Sequence, residues 1–259
     1  MSRRWVWIVA IVLLAPAGAA AHFPFPAPPP PEEYGNLLIW RGSMKEGLLP
    51  VSFSHWVHRR KHTCRVCHFE LQFNMEANTT EITEAANRAG SFCGACHDGK
   101  ELFGHEKKED CEKCHNADRT RGSMRFKELW RFPNTRYGNR IDWSAALEGG
   151  WIKPVHRLSV NPSEKFGFDN TLELAAEWSM VSGAIFPHGK HTAWLDCNDC
   201  HPHLFNIKRK FTEGFRMTSN LDGEYCGVCH TGVAFPMTDC KRCHPAMRSP
   251  PVYQEPVPR

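Results

Sequence analysis

The sequence predicts a chain with little regular secondary structure, in which short helices and loops pack around covalently attached groups in two tandem copies of one unit. Three observations carry that expectation. All twelve cysteines fall in six Cys-x-x-Cys pairs, and each pair is followed at once by a histidine. The second half of the chain repeats the first at an offset of 133 residues. Elsewhere only short helical runs bounded by glycine are visible, and no convincing alternation of a strand.

The pairs are Cys64/Cys67, Cys93/Cys96, Cys111/Cys114, Cys197/Cys200, Cys226/Cys229 and Cys240/Cys243, followed by His68, His97, His115, His201, His230 and His244. A disulfide framework has no reason to place six histidines in this way. Zinc sites combine two cysteine pairs and need no histidine after each. A thioredoxin-like redox motif would be a single pair opening a helix. The spacing instead suits covalent haem: both thiols bond the vinyl groups of one porphyrin, and the adjacent imidazole takes the proximal side of the iron. Six motifs imply six covalently bound c-type haems.

Read in order, the chain opens with a secretion signal over 1–21. Arg3 and Arg4 supply its charge, Trp5 to Leu14 its apolar core, and Ala19-Ala20-Ala21 its cleavage site. A proline-rich spacer covers 22–33, and a mobile proline-containing tail 249–259. Block 1 (34–118) carries three motifs behind an aromatic leader, and block 2 (186–248) carries the other three. In the self-match Phe53 meets Phe186, His55 meets His188, His58 meets His191, and Gly94 meets Gly227. The register slips by four residues only before the third motif. The connecting segment 119–185 holds a second leader (137–155), in which Tyr137, Trp143 and Gly150 echo Tyr34, Trp40 and Gly47, and an insertion (156–185).

Thr80 to Ala89 reads as a helix stopped by Gly90, and Asp142 as the cap of a turn or two ending at Gly149-Gly150. Asn170 with Glu173 reads as a capping box opening the helix "TLELAAEWSM". Elements this short bury too little apolar area to order so much loop, so the haems are expected to form the core. The tryptophans Trp130, Trp143, Trp151 and Trp178 read as packing around the blocks.

The occupant of the second axial position decides between electron carriage and catalysis. In each block one histidine stands nine residues, and another six, before the first cysteine: His55 and His58, then His188 and His191. Spaced three apart on a helical turn, both imidazoles leave the same side and can reach two haems. "FSHWVHRRKHTCRVCHFELQF" and its partner "IFPHGKHTAWLDCNDCHPHLF", with the motifs that follow them, resemble the triheme cytochrome c7 family, a branch of the class III multihaem cytochromes. The resemblance implies two tandem triheme c7-like domains. It also implies that His55 serves the haem of His68, His58 that of His97, His188 that of His201, and His191 that of His230. It further points to Met217, nine residues before Cys226, for the haem of His244.

In block 1 the position of Met217 is held by Glu84, a poor ligand for low-spin haem iron. The four extra residues before the third motif bring in His105, which is expected to replace the missing ligand on the haem of His115. Met75 and His62 are reserves. His62, whose counterpart is Leu195, reads as solvent-facing beside Arg59, Arg60 and Lys61, and His203 reads similarly. The spacing assigns no role to His156 or His22.

A formal charge of +4, with both signs mixed along the chain, gives no argument for nucleic acid. The expected function is electron transfer by a periplasmic or exported hexahaem cytochrome between other redox proteins, with a membrane-associated redox complex and self-association as further partners. Two other classes stay open: a reductase with an open distal site at the haem of His115, and a polymerising filament subunit. Mass spectrometry of the mature product should find six haem groups bonded to a chain beginning at His22, and a bare polypeptide would overturn the reading.

Overall fold

A computed structural model describes residues 27–100, 102–158, 168–178, 181–207 and 212–247. The signal, His22, part of the insertion and the tail lie outside these residues. Among the described residues no helix exceeds seven residues, too short to stand alone in water, and none is long and apolar enough to cross a membrane. The helix expected over 80–89 forms as Glu84–Arg88. The Thr83 side chain accepts the Ala86 N–H at 3.1 Å, and Gly90 follows at φ +84°. Asp142 caps Trp143–Glu148 as expected, accepting the Ala145 N–H at 3.0 Å.

Four strands correct the expectation of none. β1 (Asn36–Ile39) pairs antiparallel with β2 (Val51–Ser54), and β3 (Thr171–Leu174) with β4 (Ala184–Pro187). Each has four residues, too few for an alternation to declare itself in sequence. β3 overturns the helix expected after Asn170. The run Thr-Leu-Glu-Leu alternates polar and apolar, and the edge of β4 satisfies its backbone, which a short exposed helix could not do for its own ends.

The pairs do the same job in the two blocks. β2 runs straight into the helix His55–Arg59, and β4 into His188–Thr192. The partner strand of β2 comes from the leader of block 1. The partner of β4 comes from the segment 156–185, and the second leader goes elsewhere.

It goes into a side-chain core at the junction of the blocks, an interior that the expectation of a haem core did not include. Ile141, Trp143, Ala146 and Ile152 of the second leader pack with Phe126, Leu129 and Phe132 of the connector, Trp56 of block 1 and Trp194 of block 2. Trp56 meets Phe126 edge-on at 5.3 Å and donates its indole N–H to the Glu32 carbonyl. Of the four tryptophans expected to pack, only Trp143 is buried; Trp130, Trp151 and Trp178 keep 70 %, 51 % and 37 % of their surface exposed.

Polar contacts close the same seam. Arg65, inside the first Cys-x-x-Cys pair, donates its backbone N–H to Trp194 and its guanidinium to Asp196, each at 2.9 Å, and pairs with Glu70. It is 6 % exposed, so its charge is compensated where it is buried. Tyr34 donates its hydroxyl to the Ala234 carbonyl at 2.7 Å.

Leu129 is fully enclosed, so Leu129→Ala should cost about 2–5 kcal/mol of stability. Denaturant unfolding measures that loss, and the haem absorption of the folded variant should stay unchanged.

Candidate functional site

The two histidine helices are built alike. Phe53 on β2 stacks on His58 at 4.4 Å and meets His55 edge-on at 4.9 Å. Phe186 on β4 stacks on His191 at 4.3 Å and meets His188 edge-on at 4.8 Å. One ring on the last turn of strand thus sets the plane of both imidazoles that follow.

Each of these imidazoles also bonds the main chain through Nδ1. His55 donates to Gly35 O at 2.9 Å, His58 to Ser54 O at 2.8 Å, His188 to Asn170 O at 2.9 Å and His191 to Pro187 O at 3.0 Å. Gly35 aims its carbonyl there from a left-handed turn at φ +89°, and the same carbonyl accepts the His55 backbone N–H. Asn170, read from sequence as a helix cap, is the counterpart of Gly35: its carbonyl accepts both N–H groups of His188.

The six histidines that follow the cysteine pairs obey the same rule. His68, His97, His201 and His230 donate from Nδ1 to the carbonyls of Phe73, Phe103, Phe205 and Phe235 at 2.8, 3.2, 2.8 and 2.8 Å. His115 donates to Leu49 O at 2.9 Å and His244 to Ser182 O at 2.7 Å. With Nδ1 committed as donor, Nε2 is left as the basic nitrogen of a neutral ring, which is the form that binds a metal. Burial favours that form, pushing His55 down to about 3 and His230 to about 4, with His58, His68, His97 and His191 shifted the same way.

The rings of His58 and His97 stand 6.3 Å apart, and those of His191 and His230 also 6.3 Å. An iron bonded to two imidazoles at about 2 Å each, with roughly 1 Å more from nitrogen to ring centre, needs centres about 6 Å apart. The residues therefore fit a haem iron between each of these pairs. His55 lies near enough to His68 for a charge on one to lower the basicity of the other. Among the described residues no three His, Cys, Asp or Glu side chains converge on a common metal position. The ligands meet in twos.

The remaining candidates separate. Met217 and Glu84 open corresponding helices, Met217–Leu221 and Glu84–Arg88. Both helices sit directly on the second motif of their block. A Cβ on Gly94 would lie 1.8 Å from Asn87 O, and one on Gly227 2.0 Å from Asn220 O, so only glycine permits the approach. Glu84 is exposed and paired with Arg88 at 2.7 Å, while Met217 is half-buried. Arg88 also donates to the His105 carbonyl at 2.8 Å, which ties the extra loop to this helix. His105 buries an Nε2 with no hydrogen-bond partner and lies near enough to His97 to lower its basicity. Among the reserves, Met75 and His62 are half-buried, and Val155 bridges to His62. His156 bonds Thr63 at 3.2 Å, and His203 is exposed.

No disulfide joins any of the twelve cysteines. Burial, above all, raises ten of these thiols, with Cys67, Cys226 and Cys229 pushed up to about 12. Mutual repulsion adds to this and traces a continuous series through all six motifs. Cys114 acts on Cys93; Cys93 and Cys96 act on Cys67; Cys64 and Cys200 act on Cys229; Cys200 and Cys243 act on Cys226. The series crosses between blocks at Cys64 and Cys229. Asp199, buried beside that crossing, is pushed up to about 6. Sequence reasoning missed Arg65, the orienting role of Phe53 and Phe186, and every carbonyl acceptor. The two phenylalanines had left a signal in the self-match.

Residues 51–116 and 184–245, together just under half of the chain, match the family of cytochrome c7 and related cytochrome c. No curated protein matches. Among solved structures, the chain is similar to the C-terminal hexaheme fragment of GSU1996 (25 % identity, TM-score 0.27, covering 81 % of this chain and 96 % of that one). It is also similar to the dodecaheme cytochrome c GSU1996 itself (23 %, 0.28, 83 % and 75 %) and to its N-terminal hexaheme fragment (20 %, 0.25, 82 % and 99 %). The two cysteine- and histidine-rich blocks are thus cytochrome c7 domains in tandem, and multihaem c-type cytochromes are what the chain is similar to.

Proposed function

We propose that this chain is a secreted hexahaem cytochrome that relays electrons between other redox proteins, in the periplasm or at the cell exterior. The observation that carries the reading is the 6.3 Å separation of His58 from His97 and of His191 from His230, each ring held by a carbonyl at its far nitrogen. Imidazoles placed on both faces leave no coordination site for a substrate. When bound, haem iron supplies one-electron exchange between its ferric and ferrous states.

His68, His97, His115, His201, His230 and His244 serve as proximal ligands, and the twelve cysteines as attachment points. His55, His58, His188 and His191 serve four distal positions in the pairing given above. The unbroken series of attachment cysteines supports close spacing of successive haems. Met217 serves the haem of His244. His105 serves that of His115, and two observations support it: its unpartnered buried Nε2, and its attachment through Arg88 to the helix that opens with Met217 in the other block. The Glu84 carboxylate is engaged by Arg88 and free for no iron. Partners are other redox proteins, a membrane-associated redox complex among them, with self-association as a further mode.

The reduced protein should bind no carbon monoxide, and the oxidised protein should show no high-spin signal. His58→Ala should then create one carbon monoxide-binding haem per molecule. Binding by the unmodified chain would instead favour a reductase, with the haem of His115 as its site. A thioether favours ferrous iron more than imidazole does, so a spectrally resolved redox titration should find the haem of His244 at the highest potential. Met217→His should remove that distinction, and six indistinguishable bis-imidazole haems in the parent would exclude the assignment.

A further inference from the structure

Arg59 ends the helix His55–Arg59 and reaches into the seam between the blocks. Its guanidinium donates to Val233 O at 3.1 Å, three residues beyond His230. It lies over the ring of Trp143 at 5.4 Å and that of Trp194 at 6.0 Å. The charged and titratable groups that share its field are Tyr34, His55, Cys64, Cys229 and His230. Asp199 acts on the same two cysteines, and among the described residues no carboxylate forms an ion pair with Arg59. Arg65, six residues further on, shows the ordinary solution, with Glu70 and Asp196 on its two sides. Arg59 is half-buried in the seam, and guanidinium is the side chain that stays ionised in such surroundings.

We propose that Arg59 is a potential-setting charge shared by the haems of His68 and His230, one in each block. The residue stands one helical turn after His55, the distal ligand assigned to the first, and bonds Val233, whose N–H bonds the carbonyl of Cys229, the attachment cysteine beside His230, the proximal ligand of the second. A fixed positive charge in a poorly polarisable seam favours the ferrous over the ferric state, since reduction lowers the positive charge of the iron. Both haems at the crossing are thereby raised in potential, and the step between blocks runs between two sites adjusted by one side chain. The proposal rests on the hexahaem reading above.

The test compares full-length Arg59→Met, Arg59→Gln and Arg59→Lys with the parent. Haem content is measured first by mass spectrometry, then the ferrous-to-ferric ratio of each haem by NMR at fixed potentials. In the Met and Gln variants the ratio should fall at least fivefold for the haems of His68 and His230, while those of His115 and His244 stay within twofold. The Lys variant should keep most of the parent ratio. Replacing an ion in a packed seam by an apolar side chain of similar volume is commonly tolerated, so the Met variant is expected to assemble. Unchanged ratios, or an equal fall at all six haems, overturns the proposal. Loss of haem attachment in both Met and Gln variants, with Lys intact, assigns Arg59 to structure and overturns it too. Fewer than six haems in the parent sinks the underlying reading instead.

Discussion

A hydrogen bond from imidazole Nδ1 to a main-chain carbonyl is the constraint on which this architecture depends. Ten histidines make it, six after the cysteine pairs and four on the two helices that follow strands. The bond selects the tautomer, fixes the ring and leaves Nε2 to bind. Much of the fold can be read as a means of bringing a carbonyl to the right place. β2 and β4 supply Ser54 and Pro187, and the turns before β1 and β3 supply Gly35 and Asn170. Four of the six proximal rings use the carbonyl of a phenylalanine a few residues on. In two of them the side chain also closes on the imidazole, at 4.5 Å for Phe103 on His97 and 4.3 Å for Phe235 on His230.

The duplication kept this scheme and altered what surrounds it. In block 2 the strand beside β4 comes from a segment with no counterpart in block 1, yet it delivers a carbonyl to His188 at the same 2.9 Å that Gly35 offers His55. At the third motif the copies diverge in chemistry. Where block 2 has Met217 and Leu221 one turn apart, block 1 has the ion pair Glu84 and Arg88, and the arginine captures the backbone of a histidine loop that block 2 lacks. One copy presents a thioether where the other anchors a histidine loop.

The attachment motifs, the histidine pairs, the duplication and the cap at Asp142 were legible because each is written in side chains at fixed spacing. The strands were not, because four residues carry no period and the partner of β4 lies across an insertion. The acceptors were not, since a carbonyl leaves no trace in residue identity. Arg59 and Arg65 went unmarked for another reason: "HRRKHTCR" looks like a solvated basic run, and only the approach of block 2 shows that these two turn inward. The tryptophans show the converse. Trp130 and Trp151 belong by composition to a core, but the turns that carry them face outward.

Trp56 and Trp194 belong to different copies and share one interior. Two beads on a flexible tether would meet by diffusion, and the distance between their redox centres would fluctuate with each encounter. Here no tether sets that distance. It is fixed by the same close packing that keeps any core side chain in place, so traffic between the halves would be insensitive to solvent viscosity and crowding.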